Sequence, residues 1–231
     1  REEINGEVVI DTLVEQRNAD FTASNNNVTI GSETETLGQV FEALEFTGGN
    51  NANRFELENW SGNGLIDGGN GSDIYEMTLA KSADGVNFVN INDTGTDGRD
   101  TLEYSGSNDT DLIQLDTVYQ QSSDPDREFS NDRWIDLGFG EHGDGLLIAH
   151  FGAALAGYSK KDIDDTDSLF EVGVSSLLDS TDYQVLNYST VEEVTVYGGT
   201  GDDVFVSDDT AATLNVFGNE GDDQFYIGSI L

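Results

Sequence analysis

Apolar residues recur along the chain in short runs, each closed by Gly, Asn or Asp, a rhythm that suits strands and turns rather than helices. The pattern predicts strands over residues 7–10, 27–30, 41–46, 55–58, 74–79, 86–91, 102–104 and 112–118, and again over 185–188 and 191–196. Asn- and Ser-rich turns separate the first two. Residues 119–133 hold the chain's single proline and read as an exposed loop. The texture then becomes more apolar at 134–139, 146–151 and 169–174, with one short helix expected over 153–161. The organisation predicted is a strand-and-turn unit over 1–118, a loop and insertion over 119–182, and the start of a second unit over 183–231.

Several of these strands are led in by one short motif. Gly198-Gly199-Thr200-Gly201-Asp202-Asp203-Val204-Phe205-Val206 reads G-G-x-G-x-D-x-U-x, with U a large apolar residue. Gly218-Asn219-Glu220-Gly221-Asp222-Asp223-Gln224-Phe225-Tyr226 repeats it with Asn for one Gly, and Gly68-Gly69-Asn70-Gly71-Ser72-Asp73-Ile74-Tyr75 matches in full. Gly48-Gly49-Asn50-Asn51-Ala52-Asn53-Arg54-Phe55 carries Asn at the fourth and sixth places. Weaker copies begin at Gly95, reaching Gly98 and Asp100, and at Gly106, reaching Asp111. A single copy is ordinary turn chemistry, since Gly and Asp dominate turns; six copies point to a repeat architecture.

Within each strong pair the first glycines stand 20 residues apart, Gly48 to Gly68 and Gly198 to Gly218. A coil returning to the same edge after about 20 residues would stack these turns, giving one motif-lined edge and a plainer opposite edge at 58–64 and 207–213. The two pairs are themselves offset by about 150 residues, which lays 41–46 on 191–196 with apolar places coinciding. The chain starts without Met and reads as a segment of something longer.

The motif resembles the nonapeptide of the RTX, or hemolysin-type, calcium-binding repeat family. Over 40–77 and 188–227 the layout also looks like repeat units of giant bacterial surface proteins, where such turns alternate with larger inserts. The resemblance implies an all-β fold: a calcium-binding parallel β-roll or β-helix, a solenoid with a less regular strand-rich middle insertion. It implies Ca²⁺ held by turn carbonyls and the sixth-position side chain, hard oxygen ligands suited to that ion. Carried over place by place, the metal residues are Gly49, Asn51 and Asn53; Gly69, Gly71 and Asp73; Gly98, Asp100 and Asp111; Gly199, Gly201 and Asp203; and Asn219, Gly221 and Asp223. It further implies secretion or display at the cell surface, with folding on calcium outside the cell.

Charge narrows the partners. The 46 acidic residues against 9 basic give a net charge of −37. Nucleic acid needs a basic stripe and is excluded as a partner; anionic membrane surfaces are disfavoured. No apolar run is long enough to span a membrane. Cysteine is absent, which removes disulfides and thiolate metal sites. The surplus acids are scattered, which favours a surface adapted to salty water over further cation sites.

Other chemistry finds little support. His142 and His150 lack the spacing of a zinc site. The acidic run 162–167 and the segment 93–98 depart from an EF-hand loop, the latter because its twelfth place is Tyr104. No nucleophile elbow, P-loop or dinucleotide fingerprint occurs. With three lysines and six arginines, of which Arg127 and Arg133 are the nearest candidates, a basic catalytic patch is hard to assemble. The expectation is therefore a non-enzymatic, calcium-stabilised structural segment: adhesin stalk, spacer or matrix filament. Its partners would be calcium, neighbouring repeats or like subunits in a fibre, or surface glycans. Two alternatives stay open: a glycan- or ligand-binding module using Trp134, Phe139, Phe151 and Tyr158, and the accessory repeat region of a secreted hydrolase.

Overall fold

Short strands with one apolar face must lie side by side to bury it, and here they do so in two large sheets. The computed structural model describes residues 2–4, 7–9, 11–37, 41–79, 86–108, 111–119, 142–150, 183–207 and 212–227. The strands run in chain order: β1 Glu2–Ile4, β2 Glu7–Val9, β3 Thr12–Gln16, β4 Phe21–Ser24, β5 Asn27–Ile30, β6 Glu33–Thr36, β7 Ala43–Gly49, β8 Arg54–Trp60, β9 Asn63–Gly69, β10 Ile74–Leu79, β11 Val86–Asn92, β12 Thr101–Ser105, β13 Asp111–Tyr119, β14 His142–His150, β15 Tyr183–Ser189, β16 Glu193–Thr200, β17 Val204–Ser207, β18 Thr213–Glu220 and β19 Gln224–Ile227. Among the described residues there is no helix, and the fold is all-β. No helix there is long and apolar enough to cross a membrane.

Apart from the small β1–β2 pair, the described strands form an eight-stranded sheet, β18-β16-β12-β10-β8-β4-β5-β6, and a nine-stranded sheet, β19-β17-β13-β14-β15-β11-β9-β7-β3. Most pairings are parallel. Ala43 faces Asn63, Arg54 faces Ile74, Glu193 faces Thr213 and Val204 faces Gln224, so these partners stand 20 residues apart, whereas at the early edge Thr12 faces Ala43 and Phe21 faces Phe55 across longer intervals. Between them the interval lengthens. Ile74 faces Thr101, and Thr101 faces Glu193 while Val86 faces Tyr183. The nine-stranded sheet absorbs the intervening chain as the antiparallel run β13-β14-β15, inserted between β17 and β11. Strands on either side of residues 119–182 therefore share both sheets.

Two expectations are corrected. Strands β3 and β4 occupy residues read as turns, because Phe21 and Ala23 alternate inward and are almost wholly buried. The 150-residue likeness is not a translation within one sheet: it lays β7 of the nine-stranded sheet on β16 of the eight-stranded sheet. The texture change at 146–151 falls largely on β14, whereas 134–139, 169–174 and the helix expected at 153–161 lie outside the described residues.

A single apolar cluster draws side chains from both sheets, including Leu44, Phe46 and Ile66 from one and Phe55, Leu57 and Tyr104 from the other. Its spine is a row of stacked rings, Phe46–Phe21–Phe55–Tyr75, with successive centroids 5.0, 5.1 and 5.4 Å apart. Phe205 and Phe225 continue the habit at 4.9 Å. Phe55, Tyr75, Phe205 and Phe225 are the eighth-place residues of four nonapeptides, so the motif's U position supplies an aromatic column. Where the core closes without a nonapeptide, buried Trp60 donates from Nε1 to the carbonyl of Asn63 at 3.1 Å, holding the turn between β8 and β9.

Candidate metal centre

The nonapeptide turns do not share one edge. Turns 48–53, 68–73 and 93–100 carry the chain from the nine-stranded into the eight-stranded sheet; turns 106–111, 198–203 and 218–223 carry it the other way. The motif specifies a strand, a turn and a strand, and is indifferent to which sheet comes first. β12 carries such turns at both ends, and there the motif changes sides. The early and late residues expected to hold metal consequently form two separate stacks.

Within each stack the sixth-place side chain does the same work. The backbone N–H of Asn53 donates to Asp73 Oδ1 at 2.6 Å, and that of Asp73 donates to Asp100 Oδ1 at 2.8 Å. On the other side Asp111 N–H donates to Asp203 Oδ1 at 2.8 Å and Asp203 N–H to Asp223 Oδ1 at 3.0 Å. Each carboxylate thus caps the rung beside it, where a sheet edge would otherwise leave a buried N–H unmet. The other oxygen turns inward beneath the first glycine of its own motif. A Cβ added at Gly68 would lie 2.5 Å from Asp73 Oδ2, and Cβ atoms at Gly198 and Gly218 would strike Asp203 Oδ2 and Asp223 Oδ2. The first glycine is required by the carboxylate under it.

The fourth place is set by conformation instead. Gly71 has φ +133°, and its Cβ would press on the backbone of Asn51 and Ala52 in the neighbouring turn, at 2.6–2.7 Å. Gly98, Gly201 and Gly221 share this backbone at φ +110°, +129° and +139°. At the second place Gly69 and Gly199 have φ +83° and +107°, and Asn219 substitutes at φ +72°, which asparagine tolerates. Gly49 stands opposite Gly69, and Gly199 opposite Asn219. Among the described residues Asn51 is the fourth-place residue that lacks positive φ, and Asn53 puts an amide oxygen, accepting from Gly49 N–H at 3.0 Å, where later turns have a carboxylate.

One place in the early stack departs from the motif, and the sequence reading passed over it. Ile91 faces Ile66, which sets Asp93 at the level of Gly68. A carboxylate thereby lies level with the neighbouring rung's first glycine, two residues ahead of Gly95, where this copy of the motif begins. Asp73, Asp93 and Asp100 come together so that one oxygen from each lies within 4.8 Å of the others, and all three are buried. Tyr75 ties the group together: its hydroxyl donates to Asp93 Oδ2 at 2.5 Å and accepts from Gly68 N–H at 2.9 Å. Asp93 Oδ1 accepts from Gly95 N–H at 2.7 Å. Asp73 Oδ2 is fully buried and has no hydrogen-bond partner among the described residues; the same is true of Asp203 Oδ2 in the other stack.

Burial dominates the electrostatics. It raises the Asp73 carboxyl from an ordinary 3.8 to about 7, against the lowering effect of the Asn53 N–H and with help from the charges of Asp93, Asp100 and Asp67. Burial likewise lifts Asp100 to about 6 and raises Asp93, and it lifts Asp203 to about 6. The Tyr75 hydroxyl is pushed well up by burial and by Asp93, so it stays a donor. Among the described residues no ion pair reaches the triad: the arginine ion pairs there are Arg17 with Glu15 and Glu33, Arg54 with Glu56 and Glu76, and Arg99 with Glu193.

No protein-family model, curated protein or solved structure matches the chain. The likeness to RTX repeats rests on its own residues.

The donor set fits a hard divalent cation. Oxygens bound to calcium lie 2.3–2.6 Å from it, so two of them on one ion can stand up to about 5 Å apart, the span of the triad. All three side chains offer only oxygen, and an orphaned carboxylate oxygen at a fully buried position is a partner short. In water-free surroundings such a group is satisfied either by a proton or by a metal.

Proposed function

We propose that the chain is a calcium-stabilised β-solenoid segment, with coils of about 20 residues, belonging to a large secreted or cell-surface protein. Its role is structural: an adhesin stalk, spacer or matrix filament that stiffens when calcium is present. The observation that carries this reading is the repeated carboxylate ladder with a buried, unpartnered oxygen in each stack, Asp73 Oδ2 and Asp203 Oδ2. The parallel 20-residue register supports the solenoid, and the resemblance to RTX nonapeptides supports calcium and secretion.

The mechanism is thermodynamic linkage. Buried carboxylates repel one another and are poorly solvated when the chain folds without metal, so a cation bound only by the folded state adds its binding free energy to folding. A net charge of −37 adds diffuse repulsion that salt screens. In a low-calcium cytosol the chain stays extended; at extracellular calcium it folds. The ligand-binding alternative drew on Trp134, Phe139, Phe151 and Tyr158, all outside the described residues, and no observation favours it.

Limited proteolysis tests the reading. In millimolar calcium the chain is expected to resist a broad-specificity protease over 41–79 and 183–227, and to be digested throughout in chelator. Equal digestion in calcium and in chelator overturns it.

A further inference from the structure

We propose that Asp73, Asp93 and Asp100 form a discrete interior cation site, distinct in make-up from the nonapeptide turns and dependent on Asp93, which stands outside the motif. The proposal rests on the calcium reading above and deepens it by naming a ligand set. Asp93 occupies the level at which Gly68 lies in the neighbouring rung. The motif keeps that place bare so that the sixth-place carboxylate can tuck beneath it; here a second carboxylate is brought in from above. Asp73 Oδ2 and the Tyr75 hydroxyl both stand where a Cβ on Gly68 would have to go, and that hydroxyl is bonded to Asp93. The unpartnered, fully buried oxygen of Asp73 thus lies on the side of Gly68 where the Tyr75 hydroxyl holds Asp93, within the cluster whose oxygens stand within 4.8 Å of one another.

The site lies at a seam. Asp100 N–H donates to Glu192 Oε2 at 2.7 Å, and the Thr190 hydroxyl donates to the carbonyl of Asp93. Residues 190 and 192 belong to the connection by which the returning chain passes from β15 into β16. A cation held by the triad thus fixes the rung onto which β15 and β16 dock, joining segments more than 90 residues apart in sequence, as Asp100 and Glu192 are. Three carboxylates with a phenol as outer partner suit calcium or a lanthanide better than magnesium, which demands a near-ideal octahedron and keeps its waters.

The test uses the whole chain, freed of metal by chelator, with CaCl₂ titrated by calorimetry and Tb³⁺ followed by tyrosine-sensitised emission. Asp93→Asn is expected to lose one equivalent of calcium, or to weaken one by about tenfold or more, while Asp203→Asn affects a different equivalent. Asp93→Gly places at this level the residue that the neighbouring rung has there, Gly68, and adds no bulk; it too must lose that equivalent while reaching the native far-ultraviolet spectrum in saturating calcium. Tyr75→Phe is expected to dim terbium emission and keep calcium stoichiometry. If wild type binds calcium but both Asp93 variants bind it with unchanged stoichiometry and affinity, the triad is overturned and the general reading stands. If wild type binds no calcium, both fall.

Discussion

Valine at Gly71 is expected to destabilise the folded chain by roughly 3 kcal/mol or more. Two effects act together. The backbone there has φ +133°, a region closed to side chains with a Cβ, and valine's branching makes it worse. The added Cβ also meets main-chain atoms of Asn51 and Ala52, which cannot swing aside as a side-chain tip could. Since a domain's net stability is of order 5–15 kcal/mol, this is a large fraction of the total. Gly31 provides the control. Its φ is +60°, but its Cβ would meet only Ala19 Cβ at 3.8 Å, so Gly31→Asn should cost under about 1 kcal/mol. Urea unfolding of the two variants in calcium measures the difference. Equal midpoints would mean that the turns are not stacked as described.

Acid is expected to stabilise the metal-free chain. The Asp73, Asp93, Asp100 and Asp203 carboxyls all have raised values in the folded state, Asp73 from 3.8 to about 7 and Asp100 and Asp203 to about 6. Between the unfolded and folded values the native chain holds more protons than the unfolded one, so stability falls as pH rises. Whatever these groups allow at pH 4 is lost progressively between about 4 and 7, with Asp73 the last to release its proton. Charges facing the cluster from neighbouring turns, Asp67, Asp97 and Glu192, act in the same direction. Thermal melts in chelator from pH 4.5 to 8 should show a falling melting temperature or outright loss of structure. Asp73→Asn should flatten the slope, because the amide keeps an acceptor for Asn53 N–H and removes the charge. Saturating calcium should flatten or reverse it, since the ion binds the deprotonated form. Added NaCl screens the surface charge but not the buried group, and separates the two contributions. A melting temperature that rises with pH in chelator would contradict the electrostatics.

Much of the fold was legible because its signals are local. Gly, Asn and Asp close each strand, and the strands expected at 27–30, 74–79, 86–91 and 112–118 fall on β5, β10, β11 and β13 within a residue or two. The 20-residue interval between matching glycines gave the parallel register directly, Gly49 to Gly69 and Gly199 to Asn219. Less was readable where geometry depends on distant chain. Nothing near Thr101 indicates that it will lie against Glu193, or near Val86 that it will lie against Tyr183. Nor does a nonapeptide record which sheet precedes it, so the two stacks on opposite connections looked like one.

The candidate site divides in the same way. Asp73 and Asp100 follow from the sixth place of the motif. Asp93 does not, since it stands two residues ahead of Gly95, where this copy of the motif begins. The acids and glycines of 93–98 resemble an EF-hand loop only up to Tyr104, which breaks that pattern. The usable signal was in register: Ile91 aligned on Ile66 brings Asp93 level with Gly68, beneath which Asp73 and Tyr75 already crowd. Such alignment becomes visible only when the strands are paired.

The most direct measurement is a far-ultraviolet circular dichroism titration of chelator-treated chain at pH 7.5 with CaCl₂, alongside MgCl₂ and NaCl at matched ionic strength. The account predicts a disordered spectrum in chelator and a transition to β structure that calcium produces and the other two salts do not. A chain already β-structured in chelator at that pH, or restored equally by sodium chloride, would contradict calcium-linked folding and leave the acidic surface as an adaptation to salt.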